Sequence, residues 1–316
     1  MKHIKGMRLF DWIDSGVGIS VLCIVLVVLN LGIFPREAVA CSCGYPSGGW
    51  TVPENGLLPS NARGIVGWYQ AGVFEEEDDI DGLYKTVTVW EIPSYGEPQP
   101  VPVKIELLGA GPESLGKVEK YSLYRSYLVT PRGFEGGKRY RVTFQPLRHS
   151  PWDFHRAMPP KEAEVEVSFE PVETGSSRLK VTGNDQGGIS VAAGMSCSTG
   201  IQAHSLTMDL ELPLEARRWD GVLHYLTFVD GEPWTEARSA CQFIAPGRSW
   251  VELGTDKIYT KCRSEDSEVR SWAQDGLSAG SREVQMIAWL PGTDLLFSAS
   301  RTVELGCKTV TKPEAL

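Results

Sequence analysis

Nine tryptophans, four histidines and six cysteines lie beyond residue 40, and these carry most of the chemistry that the chain offers. Trp219, Trp234, Trp250 and Trp272 stand near turn-forming residues. An exposed indole there would stack on a sugar ring or anchor a protein contact. Burial is the commoner fate of an indole, because it removes a large apolar area from water. The run Glu75-Glu76-Glu77-Asp78-Asp79-Ile80-Asp81-Gly82 places Glu77, Asp79 and Asp81 at alternate positions, a weak calcium pattern. With Gly82 as the loop's sixth residue, the twelfth is Thr88, where a bidentate glutamate is required. An EF-hand is therefore excluded, and a solvated hairpin tip is the better reading.

His149, His155, His204 and His224 form no HExxH or HxH pattern and have no cysteine at metal spacing. Each reads as a surface or rim residue, with His204 and His224 on or near strands that would let them meet across a sheet. Gly194-Met195-Ser196-Cys197-Ser198-Thr199-Gly200 lacks the G-x-S-x-G arrangement of an exposed nucleophile. Gly109-Ala110-Gly111 runs into Pro112 rather than a helix start, so no phosphate-binding loop is implied. No catalytic residue and no cofactor follow from these patterns.

The six cysteines are Cys41, Cys43, Cys197, Cys241, Cys262 and Cys307, without a CxxC pair. An even number without zinc spacing points to disulfides and an oxidising compartment. The expected pairs are Cys241–Cys262 across one hairpin and Cys197–Cys307 between the start and end of the second half. Cys41 and Cys43 either pair with each other in a strained short loop or remain for a lipid or a partner.

The first forty residues read as an export leader. Lys2, Lys5 and Arg8 precede an apolar stretch over 17–34, Pro35 stops any helix, and Ala38-Val39-Ala40 matches a signal-peptidase site. Three fates stay open: cleavage before Cys41, retention as a membrane anchor at the short end of spanning length, or acylation of Cys41. The location expected is extracytoplasmic: periplasm, cell surface or medium.

The 316 residues carry a net charge of -9. Removing a leader with four basic and three acidic residues leaves -10 behind. Such a surface repels nucleic acid and anionic lipid, so membrane contact is expected only through the leader or a lipid on Cys41. Beyond residue 60 the apolar residues recur with a period of two. Val165 and Val167 alternate with Glu164 and Glu166, and the same holds for Val101, Val103, Ile105 and Leu107. Tyr140, Val142 and Phe144 follow the pattern, as do Leu206, Met208, Leu210 and Leu212, and Val284, Met286 and Ala288. Strands with one buried and one wet face produce it. Asp230-Gly231 marks a tight hairpin, and Asp81-Gly82 reads as a turn before a strand over 84–90. Alternation stops near 172–177, which divides the chain into 44–172 and 173–310, with 311–316 as a tail. Two antiparallel β-sandwiches behind a signal helix are the fold expected.

The first half resembles a family. Pro53-Glu54-Asn55-Gly56, then Pro59-Ser60-Asn61-Ala62-Arg63 and a strand over 64–68, is similar to the opening of Ig-like domains of bacterial secreted and surface proteins. Leu58 stands where valine is usual. Tyr127-Leu128-Val129-Thr130-Pro131, followed by Phe134, Gly137, Tyr140 and Val142, resembles a later segment of the same domains. The resemblance spans about residues 50–170 and implies a tight turn at Gly137 and a buried, hydroxyl-bonded Tyr140. The second half resembles uncharacterised secreted β-sandwich proteins, which makes the whole all-β and Ig-like or fibronectin-like. The function expected is non-enzymatic action through protein or surface contacts in the cell envelope. The alternatives are carbohydrate binding through the loop tryptophans, or a hydrolase whose site is built from scattered residues. The partner expected is an envelope protein or a glycan.

Overall fold

Period-two alternation builds strands throughout a computed structural model that describes residues 48–70, 80–109, 111–112, 115, 124–145, 161–192, 198–234, 246–262 and 276–307. The leader, Cys41, Cys43, Cys197, Cys241, His149, His155, Trp272 and the tail lie outside these residues. The early elements are β1 (Gly48–Thr51), β2 (Leu57–Leu58), β3 (Ile65–Gln70), α1 (Ile80–Thr86), β4 (Val87–Ile92), β5 (Gln99–Pro100), β6 (Val103–Leu108), β7 (Tyr124–Pro131), β8 (Arg139–Phe144) and β9 (Lys161–Val167). They form one sheet of order β1-β3-β7-β6 and another of order β2-β9-β8-β4-β5. All these pairs are antiparallel except the short β2–β9 ladder.

The later elements are β10 (Arg178–Ala192), β11 (Ser198–Glu211), α2 (Leu214–Arg217), β12 (His224–Val229), β13 (Glu232–Pro233), β14 (Thr255–Lys261), β15 (Gly280–Trp289) and β16 (Leu296–Leu305). Their sheets run β10-β11-β14 and β13-β12-β15-β16. Among the described residues, no strand up to β9 pairs with one from β10 onward.

The alternation has the consequence its physics demands. Tyr140, Val142 and Phe144 are fully buried on one face of β8, while Arg139 and Arg141 on the other face meet Glu162 and Glu164 of β9 at 2.8–3.5 Å. Those pairs are about half exposed, so each adds only a few tenths of a kcal/mol. The apolar face contributes far more, about 2 kcal/mol for each fully buried large side chain. It packs against the first sheet, where Tyr127 of β7 lies 6.3 Å from Phe144 and 5.8 Å from Trp50 between ring centres. At Gly67 of β3 a side chain would collide with the Tyr127 ring, so glycine is required by close approach.

Two turns follow the residue chemistry. Asp230 and Gly231 have φ of 53° and 84°, the left-handed pair of a two-residue hairpin between β12 and β13. Asp230 is held there by β15: its carboxylate accepts from Arg282 at 2.7 Å and from the Glu283 amide at 2.9 Å. Gly137 has φ of 82°, and beyond it Tyr140 is buried with its hydroxyl donating to the Gly133 carbonyl at 2.9 Å. Tyr140→Phe keeps the ring and removes that bond. We expect a loss of about 1 kcal/mol in urea unfolding, with no change in the folded-state spectrum.

Two expectations are corrected. Asp81-Gly82 is not a turn before a strand at 84; it opens α1, and β4 begins at Val87. Leu83 and Thr86, one helical turn apart, face inward, and the Tyr84 hydroxyl accepts the Ile105 amide of β6 at 2.9 Å. That burial outweighs the local turn signal. The disulfide joins Cys262 to Cys307, with Cα atoms 5.5 Å apart. Neither Cys241–Cys262 nor Cys197–Cys307 can therefore form beside it. The ends of β14 and β16 adjoin in space, which sequence spacing does not reveal.

Candidate functional site

Of the histidines expected at the surface, His204 and His224 are buried, on strands of different sheets. His204 of β11 has both ring nitrogens engaged: Nδ1 accepts the Gly306 amide at 2.9 Å, so in the neutral ring Nε2 donates to Asn184 Oδ1 at 2.8 Å. Beside the disulfide, this imidazole clamps the chain that leaves β16. It is a structural group with no lone pair to spare.

His224 opens β12, is 3% exposed, and stands edge-on to Trp289 of β15 at 5.5 Å. Among the described residues its Nε2 has no hydrogen-bond partner. Burial, helped by the cation of Arg248, pushes its pKa down to about 3, so the ring is neutral at ordinary pH. Arg248 is itself sunk in the protein, donating to the carbonyls of Leu223 at 2.6 Å and Gly221 at 2.5 Å; burial lowers its pKa to about 10.

His224 is among the residues around a cleft of about 110 Å³, with its Nε2 closed off from that space. Arg63 enters from the β2–β3 connection, and its guanidinium donates to the Gly292 carbonyl at 2.8 Å. Leu107 and Gly109 form one wall at the end of β6, and Thr293 with Asp294 from the β15–β16 turn form the other. The site thus draws a cation, a carboxylate and a neutral imidazole from distant stretches of chain. Sequence reasoning met Arg63 only as the end of the phrase over 59–63 and missed Asp294 altogether; the nearest signal was the unexplained His224.

A second cleft, of about 210 Å³, lies beside Asp209, Arg217, Asp220 and Tyr225. Burial raises Asp220 to about 6, opposed by a 3.4 Å bond from the Tyr225 hydroxyl and by Arg217. Its ordinary value is 3.8, so protonation favours the folded state below that pH, and the benefit is lost as pH rises through 6. Asp220→Asn is therefore expected to stabilise the protein by about 1 kcal/mol at pH 7.5, after discounting for partial exposure, and not at all at pH 3.5. Thermal unfolding at the two pH values checks this. Asp256, buried at the start of β14, is fully used. One carboxylate oxygen accepts Thr227 Oγ1 at 2.7 Å, and the other accepts the amides of Lys257 and Trp250 at 2.8 and 3.3 Å.

Of the loop tryptophans, Trp219 and Trp234 are structural, and Trp272 lies outside the described residues. Trp219 is 1% exposed under the Arg218 guanidinium, and Trp234 is buried with its indole N–H on the Lys257 carbonyl. Trp250 is half-buried, edge-on to Tyr259. Trp219 and Trp234 offer no face to a sugar, because the core takes their area first. Of the calcium candidates, Asp81 is exposed on the first turn of α1, while Glu77 and Asp79 lie outside the described residues. Among the described residues, no group of three or more His, Cys, Asp or Glu is placed to hold a metal ion, and no helix is long and apolar enough to cross a membrane. No protein-family profile matches the chain, and no curated protein matches it.

Proposed function

We propose an exported protein that acts by surface contact with an envelope partner rather than by turnover, carried by an Ig-like and then a fibronectin-like β-sandwich. The observation that carries this reading is the Cys262–Cys307 bond between two strand ends, since disulfides persist in oxidising compartments. Strand order supports the architecture. In the first half β1-β3-β7-β6 follows the A-B-E-D order of immunoglobulin sheets, and β9-β8-β4 follows G-F-C, with β5 in the place of C′. Tyr140, near the start of the strand equivalent to F, bonds back to Gly133 as a corner tyrosine does. In the second half, β10-β11-β14 and β13-β12-β15-β16 read as A-B-E and C′-C-F-G.

A sandwich by itself names no activity. The contact reading is favoured by the use that the fold makes of its reactive groups: His204 and Asp256 are consumed in holding strands together. The test is fractionation of cells expressing the full chain, followed by crosslinking in intact cells. We expect the chain outside the cytoplasm, oxidised at Cys262 and Cys307, and crosslinked to an envelope protein. A reduced chain in the cytosol, or turnover of a protease, esterase or glycosidase substrate by the purified protein, would overturn the proposal.

A further inference from the structure

We propose that Ser60, Asn61 and Arg63 clasp the two halves of the chain at a fixed angle, so that they move and meet a partner as one rigid body. By composition the connection between β9 and β10 is a flexible linker, with Thr174, Gly175, Ser176 and Ser177 in succession. Halves joined by such a stretch move independently unless something holds them.

The hold begins with one side chain. Val172, in the middle of the connection, is 2% exposed, so its backbone groups need partners within the protein. The Asn61 carboxamide meets both: Oδ1 accepts the Val172 amide at 2.9 Å, and Nδ2 donates to the Val172 carbonyl at 3.0 Å. A single asparagine thus serves the connection as a neighbouring strand would. Beside it, the Ser60 amide donates to the Glu170 carbonyl at 2.9 Å, and the Glu170 carboxylate pairs with Arg218 just after α2. At the far end the Ser177 hydroxyl donates to the Ser298 carbonyl of β16 at 2.8 Å.

Direct contacts across the junction keep the remaining span, 173–176, from acting as a hinge. The Arg63 carbonyl accepts the Thr130 hydroxyl of β7 at 2.8 Å, and the Arg63 guanidinium donates to the Gly292 carbonyl at 2.8 Å. That arginine is anchored at its base in the first half and at its tip in the second. Pro53 lies against Gly221, where an added Cβ would come within 2.6 Å of the proline Cβ. The two phrases that precede β3 therefore do more than lead into a strand: they supply the first half's side of the junction. A partner then meets a surface spanning both halves, and binding has no hinge to order.

The test is nuclear magnetic resonance of the full chain, with residual dipolar couplings measured separately for β1–β9 and β10–β16. A rigid body gives both sets one alignment tensor, whereas halves that move freely give tensors of different magnitude. We expect one tensor in the parent and two in Asn61→Ala/Arg63→Gln. The Val172 amide should exchange hydrogen about tenfold faster or more in that variant. Gly221→Val leaves the clasp residues intact, wedges Pro53 away, and should also split the tensor. Val142→Ala, a core change outside the clasp, should leave it single. Two tensors in the parent would overturn the proposal, as would a single tensor in both junction variants, or a control that splits as they do.

Discussion

Lowering the pH from 7 to about 4.5 is expected to remove about 3 kcal/mol of stability through His224 alone. The ring titrates at 6.5 when free and is depressed to about 3 in the folded protein. Between those values the unfolded chain binds a proton that the folded chain refuses. Stability is thus fully present above pH 6.5 and drains away as the pH falls toward 3. Burial is the main cause of the refusal, and the Arg248 cation adds to it. Arg248 lies near the ring in the interior and Arg63 lines the cleft, while Asp294, the acid of the cleft wall, is exposed to water. Asp220 works in the opposite sense over part of the same range, so the total curve is flatter than either contribution. The difference between the parent and His224→Phe isolates the histidine. Urea unfolding across pH 4.5–7.5 should show the variant gaining about 3 kcal/mol on the parent toward the acid end. Parallel curves would mean that the imidazole is not held neutral.

The second large effect belongs to the disulfide. Cys262 and Cys307 are 45 residues apart, and closing a loop of that length in the unfolded chain corresponds to about 4 kcal/mol. The Cys262→Ser/Cys307→Ser double variant is expected to unfold at correspondingly lower denaturant concentration. It should also fray locally. The Gly306 amide, bonded to His204 Nδ1 beside the bridge, is expected to exchange hydrogen much faster in the variant while Val142 in β8 keeps its protection. Peptide mapping of the unreduced parent must recover the 262–307 linkage. An unchanged unfolding curve would show that the β14 and β16 ends hold together without the bond.

The strands were readable because their cause is local. A residue's neighbours at i and i+2 share its face, so Leu206, Met208, Leu210 and Leu212 announced a buried face that the fold then used. The Asp230-Gly231 hairpin was readable for the same reason: two adjacent residues must take positive φ, and few types do so cheaply. The failures were non-local. Asp81-Gly82 looked like a turn because the packing of Leu83 and Tyr84 against distant residues leaves no mark nearby. For Trp219 and Trp234 burial was the favoured reading and a ligand platform the alternative, because proximity to a turn says nothing about which way an indole points.

By itself, the sequence determined an all-β chain with strands on either side of a break near residues 172–177, since alternation and turn chemistry act over a few residues at a time. Only the tertiary structure decided that Cys262 meets Cys307 and that His224 is buried against Trp289. It also decided that Arg63 and Asp294 share one cleft. Each of these depends on which strand lies beside which, and that choice is made by burial summed over the whole core.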